Sequence, residues 1–276
     1  MRLVGAARTE SLVSQSQKAH NNPMFKHAIV KTPAASMVDG ITTAGLGLPD
    51  HKLALQQHQN YIKVLQDCGL KVKVLPAEAA FPDACFVEDA AVVTPRCVII
   101  TNPGASSRKA ETGAIQLALS ECFDSFEYIT GEGTLDGGDV MMVGDHYYIG
   151  LSARTNLKGA NQMMAILREH GLTGSTVEMS QMLHLKTGLS YLENNHLLVT
   201  GEFKGNSAFA DFKCWVVDDD EAYAANCIWV NNRVVMPKGF PKTQAMLQGA
   251  GFKMVPVDVS EFEKLDGGLS CLSLRF

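Results

Sequence analysis

A thiol, an imidazole and several carboxylates stand far apart in this chain, each in a setting that suits chemistry. Cys271 follows the doublet Gly267-Gly268. Residues 269–274 alternate, which predicts a short strand with Leu272 and Leu274 on one face and Ser273 and Arg275 on the other. A thiol at the mouth of such a strand, among small neighbours, is an accessible nucleophile. Taken alone, it reads more simply as a buried small hydrophobe. His184 lies in Leu183-His184-Leu185-Lys186, where a lone histidine is more often a satisfied core group. Glu88-Asp89 and Asp136-Gly137-Gly138-Asp139 each read individually as a turn. Cys–His sites assemble in space rather than in sequence, so the separation is no objection to a shared pocket.

A pocket holding one thiol, one imidazole and several acids suits a cationic substrate. Asp83, Glu88, Asp89 and Asp136 could accept hydrogen bonds from a planar, five-donor guanidinium. A guanidinium beside Cys271 would favour the thiolate by Coulomb attraction. The thiolate could then attack the electron-poor central carbon, and His184 could protonate the leaving amine. Arg108 and Arg154 each follow a hairpin strand. They could hold a substrate carboxylate, or serve as ordinary surface charges.

The elements that must bring these residues together repeat. The chain reads as strand, turn, strand, helix, strand, with a period of about fifty residues. The clearest copy has strands at 140–143 and 147–150, a helix capped by Thr155 or Asn156 and ended by Gly171, and a strand at 177–179. A second has strands at 91–94 and 97–101, a helix over 107–120 and a strand at 126–130. A third starts at Leu189 and turns at Asn194-Asn195. Its crossover is short and Gly-interrupted, and it ends in a strand at 214–217. A fourth has strands at 228–230 and 233–236, a helix from Pro241 to Gly249 and a strand at 253–257. A split fifth unit has a strand at 25–31, a helix over 50–68 ended by Gly69, and a strand at 72–75. It lacks a first hairpin strand, which 269–274 would supply if the chain ends pair and close a ring. The residues just before each hairpin are then Glu88-Asp89, Asp136 with Asp139, His184, Asn226 and Cys271. In a ring these positions converge on the axis.

Composition narrows the function class. The chain has 276 residues, 46% hydrophobic and 19% charged, enough for a sizeable core. A net charge of -5 argues against nucleic acid or an anionic membrane as main partner. Seven scattered cysteines with no CxxC pair fit a reducing, cytoplasmic setting better than a disulfide scaffold or a zinc site. Residues 1–23 are polar and read as a disordered extension, with Met24 a candidate start, and residues 24–276 read as one catalytic domain.

Four stretches together resemble one family. They are Phe81-Pro82-Asp83-Ala84-Cys85-Phe86-Val87-Glu88-Asp89, the run from Gly138 to Tyr147, Leu183-His184-Leu185-Lys186, and Gly267-Gly268-Leu269-Ser270-Cys271. They resemble dimethylarginine dimethylaminohydrolase, of the guanidino-group-modifying superfamily, over residues 24–276. The resemblance implies a five-bladed, pseudo-symmetric α/β propeller of ββαβ units, of the pentein type. It implies hydrolysis of asymmetric dimethylarginine to citrulline and dimethylamine through a covalent cysteine intermediate, with no cofactor and no metal. It gives Cys271 as nucleophile and His184 as general acid and base. Asp136 takes the place of the orienting carboxylate, where bacterial relatives often have Glu. On the substrate side it gives Asp83, Glu88, Asp89 and Ser270, with Asp89 the direct guanidinium ligand. Arg108 and Arg154 match a carboxylate clamp, and Ile41 and Leu265 match backbone contacts.

Two other readings compete. An arginine deiminase would release ammonia, but that family carries an inserted helical domain and a second acid two residues after its histidine. Here that position is Lys186. A non-catalytic arginine-binding relative would have lost the thiol or the imidazole, and both are present. Zinc bound by Cys271 and His184 would be adventitious, since two ligands do not make a structural site. A homodimer is compatible with the sequence.

Overall fold

The computed structural model describes residues 25–276 as five three-stranded sheets built on one plan. The extension expected at 1–23 and the candidate start Met24 lie outside the described residues. In the first sheet β1 (His27–Lys31) crosses over through α1 (His51–Asp67) to a parallel β2 (Lys71–Leu75). In the second, β3 (Ala91–Val93) and β4 (Val98–Ile100) form a hairpin, and α2 (Thr112–Leu119) leads to β5 (Glu127–Tyr128), parallel to β4. The third repeats this with β6 (Val140–Val143), β7 (His146–Leu151), α3 (Leu157–Glu169) and β8 (Thr173–Glu178). The fourth has β9 (Leu189–Tyr191), β10 (His196–Val199) and β11 (Lys213–Val216). The fifth has β12 (Ile228–Val230), β13 (Arg233–Pro237), α4 (Pro241–Gly249) and β14 (Met254–Val257). The last strand, β15 (Leu274–Arg275), returns to pair antiparallel with β1, Leu274 opposite Ile29.

Local chemistry explains most of these boundaries. Asn231 and Asn232 both adopt left-handed φ, 47° and 71°, which a two-residue hairpin turn requires and asparagine tolerates. The Asp50 side chain accepts from the Leu53 N–H to start α1, and the Asn156 side chain accepts from the Gly159 N–H to start α3. α4 opens on Pro241, whose missing N–H costs nothing at a first helical position. The crossover of the fourth sheet contains no α-helix, only 3₁₀ turns at Gly201–Phe203 and Ser207–Phe209, as its glycines suggest.

Burial ties the sheets together in cyclic order. Five apolar clusters form, and each draws on two consecutive sheets. Ile29 packs with Ala91 and Ile100, Val92 with Ile149, Met141 with Leu197, and Leu198 with Val234. The fifth cluster packs Ile228 and Val235 against Ala28 and Val30, joining the last sheet to the first.

Three expectations need correction. The helix expected over 107–120 is α-helical only from Thr112, because Ser106–Glu111 winds as a 3₁₀ segment. The strand expected at 177–179 is longer and begins at Thr173. The strand expected over 269–274 is mostly absent. Ser270–Leu272 is a 3₁₀ turn, and Leu272, Ser273 and Leu274 are all buried, so the alternation is not a two-faced strand. The cause is long-range. Asn226 Oδ1 takes the Ser270 N–H and Tyr61 Oη donates to the Leu269 carbonyl, so no neighbouring strand supplies these partners.

Candidate active site

A 3₁₀ turn precedes the first strand of each hairpin, and these turns meet round the axis. The turns at Val87–Ala90, Gly137–Asp139, Leu185–Thr187, Asp219–Ala225 and Ser270–Leu272 touch in cyclic order, the last pair through Asn226 and Ser270. The convergence anticipated from the repeat phase is therefore present. Two glycine doublets permit it by close approach. A Cβ on Gly138 would lie 2.8 Å from Asp89 Oδ1 and 2.9 Å from His184 Nδ1. A Cβ on Gly267 would overlap the Phe86 ring, and one on Gly268 the Asn226 carboxamide. Neither doublet has positive φ, so absence of a side chain, rather than turn geometry, is what these positions require.

Cys271 lines a cleft together with His184, Asp83, Asp89, Arg108, Arg154, Ile41 and Leu265. The Gly268 N–H points at Cys271 Sγ, 3.4 Å away. Burial pushes the Cys271 thiol up to about 12. The negative charges of Glu88 and Asp89 push the same way, against the Gly268 N–H and Lys186. Burial and these acids hold the sulfur as a thiol at neutral pH.

His184 is buried and its Nε2 meets Asp136 Oδ2 at 3.0 Å. Asp136 thus reaches the imidazole, and its other oxygen accepts from the Gly104 N–H at 2.8 Å. Burial opposes a charge on His184, but Asp89, the Asp136 hydrogen bond and Asp139 outweigh it and raise the pKa to about 9. At pH 7 the residue is an imidazolium. Asp139 contributes from beneath, accepting from the Leu185 N–H at 2.9 Å. The approach to His184 is pinned by Glu202, which accepts from the N–H groups of Ser180, Gln181 and Met182.

Asp89 is fully paired. Its Oδ1 accepts from the Gly138 N–H and its Oδ2 meets Arg108 Nη1 at 2.5 Å. Burial would raise its pKa, but His184, Arg108 and the Gly138 N–H bring it down to about 2. Asp83 holds the loop across the mouth, accepting from the Ile41 N–H at 3.0 Å. Burial raises its pKa more than Arg108 lowers it. The same loop is tied to the segment before Cys271, with Thr42 Oγ1 donating to the Lys264 carbonyl and Thr43 Oγ1 to Asp266.

The two arginines differ. Arg108 is buried, and it donates to Glu111 through Nε and Nη2, to Asp89 through Nη1 and to the Phe86 carbonyl through Nη2. Of the expected clamp pair, Arg108 is engaged by the protein's own acids. Arg154 lines the same cleft, and among the described residues its one ion-pair contact is Asp136 at 3.7 Å.

Glu88 and Ser270, expected on the substrate side, stand apart from the residues that line the cleft. They line a second cavity on the other side of the ring of turns, not the cleft of Cys271. There Ser270 Oγ donates to Glu88 Oε2 at 2.7 Å, and Lys186 Nζ meets Glu88 Oε1 at 2.6 Å. Lys186, at the position where a deiminase has an acid, is not among the residues that line the cleft. The cleft also has apolar lining from Leu183 and Phe86. These two were quoted in the motifs without a role, and nothing in their spacing marks them as lining residues. Asp89, Asp136 and His184 offer three ligand atoms within 4.8 Å of one another. The carboxylates there are already taken by Arg108, Gly138, Gly104 and His184. Among the described residues no helix is long and apolar enough to cross a membrane.

Residues 49–201, more than half of the chain, match the family model described as N,N dimethylarginine dimethylhydrolase, eukaryotic. The N(G),N(G)-dimethylarginine dimethylaminohydrolase of Pseudomonas aeruginosa is 52% identical over 254 residues, covering 92% of this chain and all of that one. A crystal structure of that organism's enzyme, a cysteine-to-serine variant complexed with citrulline, superposes with a TM-score of 0.91 at 52% identity, over 92% of this chain and 100% of the other. A histidine-to-glycine variant of a dimethylarginine dimethylaminohydrolase, as an adduct with S-methyl-L-thiocitrulline, gives 0.90 at the same identity and coverage.

Proposed function

The chain belongs to the dimethylarginine dimethylaminohydrolase family, and from that premise we infer that it hydrolyses asymmetric dimethylarginine to citrulline and dimethylamine at the Cys271 cleft. The observation that carries the site assignment is one cleft lined by the Cys271 thiol, the His184 imidazolium and buried acids.

The reaction follows from the protonation states. A guanidinium entering beside the sulfur supplies the positive charge that burial and the acids deny it, and the thiol proton departs to solvent. The thiolate adds to the central carbon. His184, already charged at neutral pH, gives its proton to the dimethylamino nitrogen, the C–N bond breaks and dimethylamine leaves. A thiouronium stays on Cys271. The now neutral His184 takes a proton from water as its oxygen adds to that carbon. The C–S bond then breaks, releasing citrulline, and the sulfur regains a proton. Asp136 keeps the imidazole oriented through its 3.0 Å contact. Asp89, fixed by Arg108 and the Gly138 N–H, supplies the negative field for the guanidinium. Arg154 takes the α-carboxylate, and the Ile41 loop, held by Asp83, covers the substrate.

Leu183 and Phe86 suit N-methyl groups. Arginine in the same pose would leave NH₂ donors unpaired, at roughly 1–3 kcal/mol, which is about tenfold or more in kcat/KM. The test is a competition between dimethylarginine and arginine, with citrulline, dimethylamine and ammonia all quantified. Dimethylamine as the main amine is expected; ammonia from arginine as the main product would move the assignment to the deiminase class.

A further inference from the structure

We infer that Asn226 is a positioning residue that sets the distance between the nucleophile turn and the histidine segment, an inference that rests on the reaction assigned above. Its carboxamide touches both. Asn226 Oδ1 accepts from the Ser270 N–H at 2.9 Å, one residue before Cys271. Asn226 Nδ2 donates to the Lys186 carbonyl at 3.0 Å, two residues after His184, and to Ser270 Oγ at 3.2 Å. One oxygen and both N–H donors are thereby used, and the amide orientation is forced, since an N–H only donates and a carbonyl only accepts.

The base on which Asn226 stands is itself held. Ser190 Oγ lies 2.7 Å from the Ala225 carbonyl and 2.8 Å from the Cys227 carbonyl, which share its one hydrogen, and it accepts from the Cys227 N–H. Asn226 is buried, and a Cβ at Gly268 would run into its carboxamide. The turn that aims Cys271 therefore closes against the flat face of an amide whose backbone is clamped. Glu88 joins the same two segments, but through the Lys186 ammonium and the Ser270 hydroxyl. Those are side-chain ends that can swing without moving the chain. Asn226 acts on backbone atoms, so its loss shifts the thiol relative to the imidazole. Misplacement of about 1 Å in a reacting group costs on the order of 100-fold in rate. Asn226 does not line the substrate cleft, so ligand affinity should survive.

The test compares Asn226→Ala and Asn226→Asp with the full-length parent. Asp keeps the shape, but as a carboxylate it cannot donate to Lys186. The readouts are melting temperature, citrulline affinity, kcat and KM per folded enzyme, and the pH profile of Cys271 alkylation by iodoacetamide without substrate. We expect kcat to fall by about 30- to 100-fold, citrulline affinity to stay within about threefold, and the alkylation profile to move. Parental kcat per folded enzyme in both variants overturns the inference. So does a lower kcat with an unmoved alkylation profile. If both variants fold poorly, Gly268→Ala presses on the same amide from the other side. Its kcat loss should then be less than multiplicative with Asn226→Ala, and independent losses would overturn the inference. A parent that releases no amine from dimethylarginine would sink the assigned reaction instead, while the alkylation profiles would still test the turn.

Discussion

Asp89, His184 and Cys271 line one side of the axis, while their near neighbours Glu88, Lys186 and Ser270 line the other. Both sides are buried and both are charged, yet they differ in what is left unspent. On the far side the charges cancel locally: Glu88 takes Lys186 and the Ser270 hydroxyl, with Arg275 3.6 Å away. On the cleft side His184 rises to about 9 and Cys271 to about 12, and the one ion-pair contact of Arg154 among the described residues is Asp136 at 3.7 Å. Burial alone does not make a site. The cleft has titratable groups whose preferred states conflict until a cation arrives, whereas the far cavity has closed pairs.

The sharpest break of this contrast is at neighbouring residues. Cys271→Ser should cut turnover by more than about 1,000-fold, as removal of a nucleophile does, while citrulline still binds. Ser270→Ala, across the wall, should lower stability by about 1–3 kcal/mol and turnover far less. Steady-state rates with thermal melts decide it, and equal losses would erase the distinction between the two sides.

Lys186→Ala leaves Glu88 buried with one partner fewer, and should destabilise by about 3 kcal/mol, in line with breaking a buried pair. Lys186→Met with Glu88→Gln should recover most of that in denaturant unfolding. Failure to recover would mean the pair does more than neutralise itself.

The two arginines sharpen the same point within the cleft. Arg154→Ala should raise KM by about tenfold with little change in kcat, the mark of uniform binding lost. Arg108→Ala should lower kcat and stability together, because Asp89 and Glu111 lose their cation. Agmatine, which lacks the carboxylate, should distinguish the parent from Arg154→Ala only weakly. A strong Arg154 effect on agmatine would place that side chain elsewhere.

A further test of the contrast is in pH. The pKa of His184 is raised from 6.5 to about 9 in the folded protein. Its contribution to stability is therefore complete below pH 6.5 and is lost as pH rises through about 9. kcat should fall over the same upper limb as the acid for amine departure disappears. The pKa of Asp89 is lowered from 3.8 to about 2, so its contribution is present above pH 3.8 and lost as pH falls through about 2. Unfolding curves of the parent and His184→Ala from pH 6 to 10 check this; parallel curves would contradict a charged His184.

Much of the fold was legible because it is written in local signals. The Asn231-Asn232 turn, the Asn156 cap, Pro241 and the terminating glycines each act within a few residues, and the elements they bound formed where expected. The repeat phase also placed Asp89, Asp136, His184, Asn226 and Cys271 at the axis, because five similar units can bury their apolar faces only against one another. What the sequence could not decide was which way each axial side chain faces. These residues sit on or beside 3₁₀ turns, with about three residues per turn, so neighbours such as Glu88 and Asp89 point apart. The choice between the two sides falls to partners far along the chain. Lys186 and Ser270 draw Glu88 one way, and Arg108 and Gly138 draw Asp89 the other. Asn226 and Tyr61 wind the Cys271 segment into a turn although its alternation spells a strand. Those partners are 19 to 208 residues distant, and hydrogen bonds and ion pairs between them exist only once the five units have come together on the same axis.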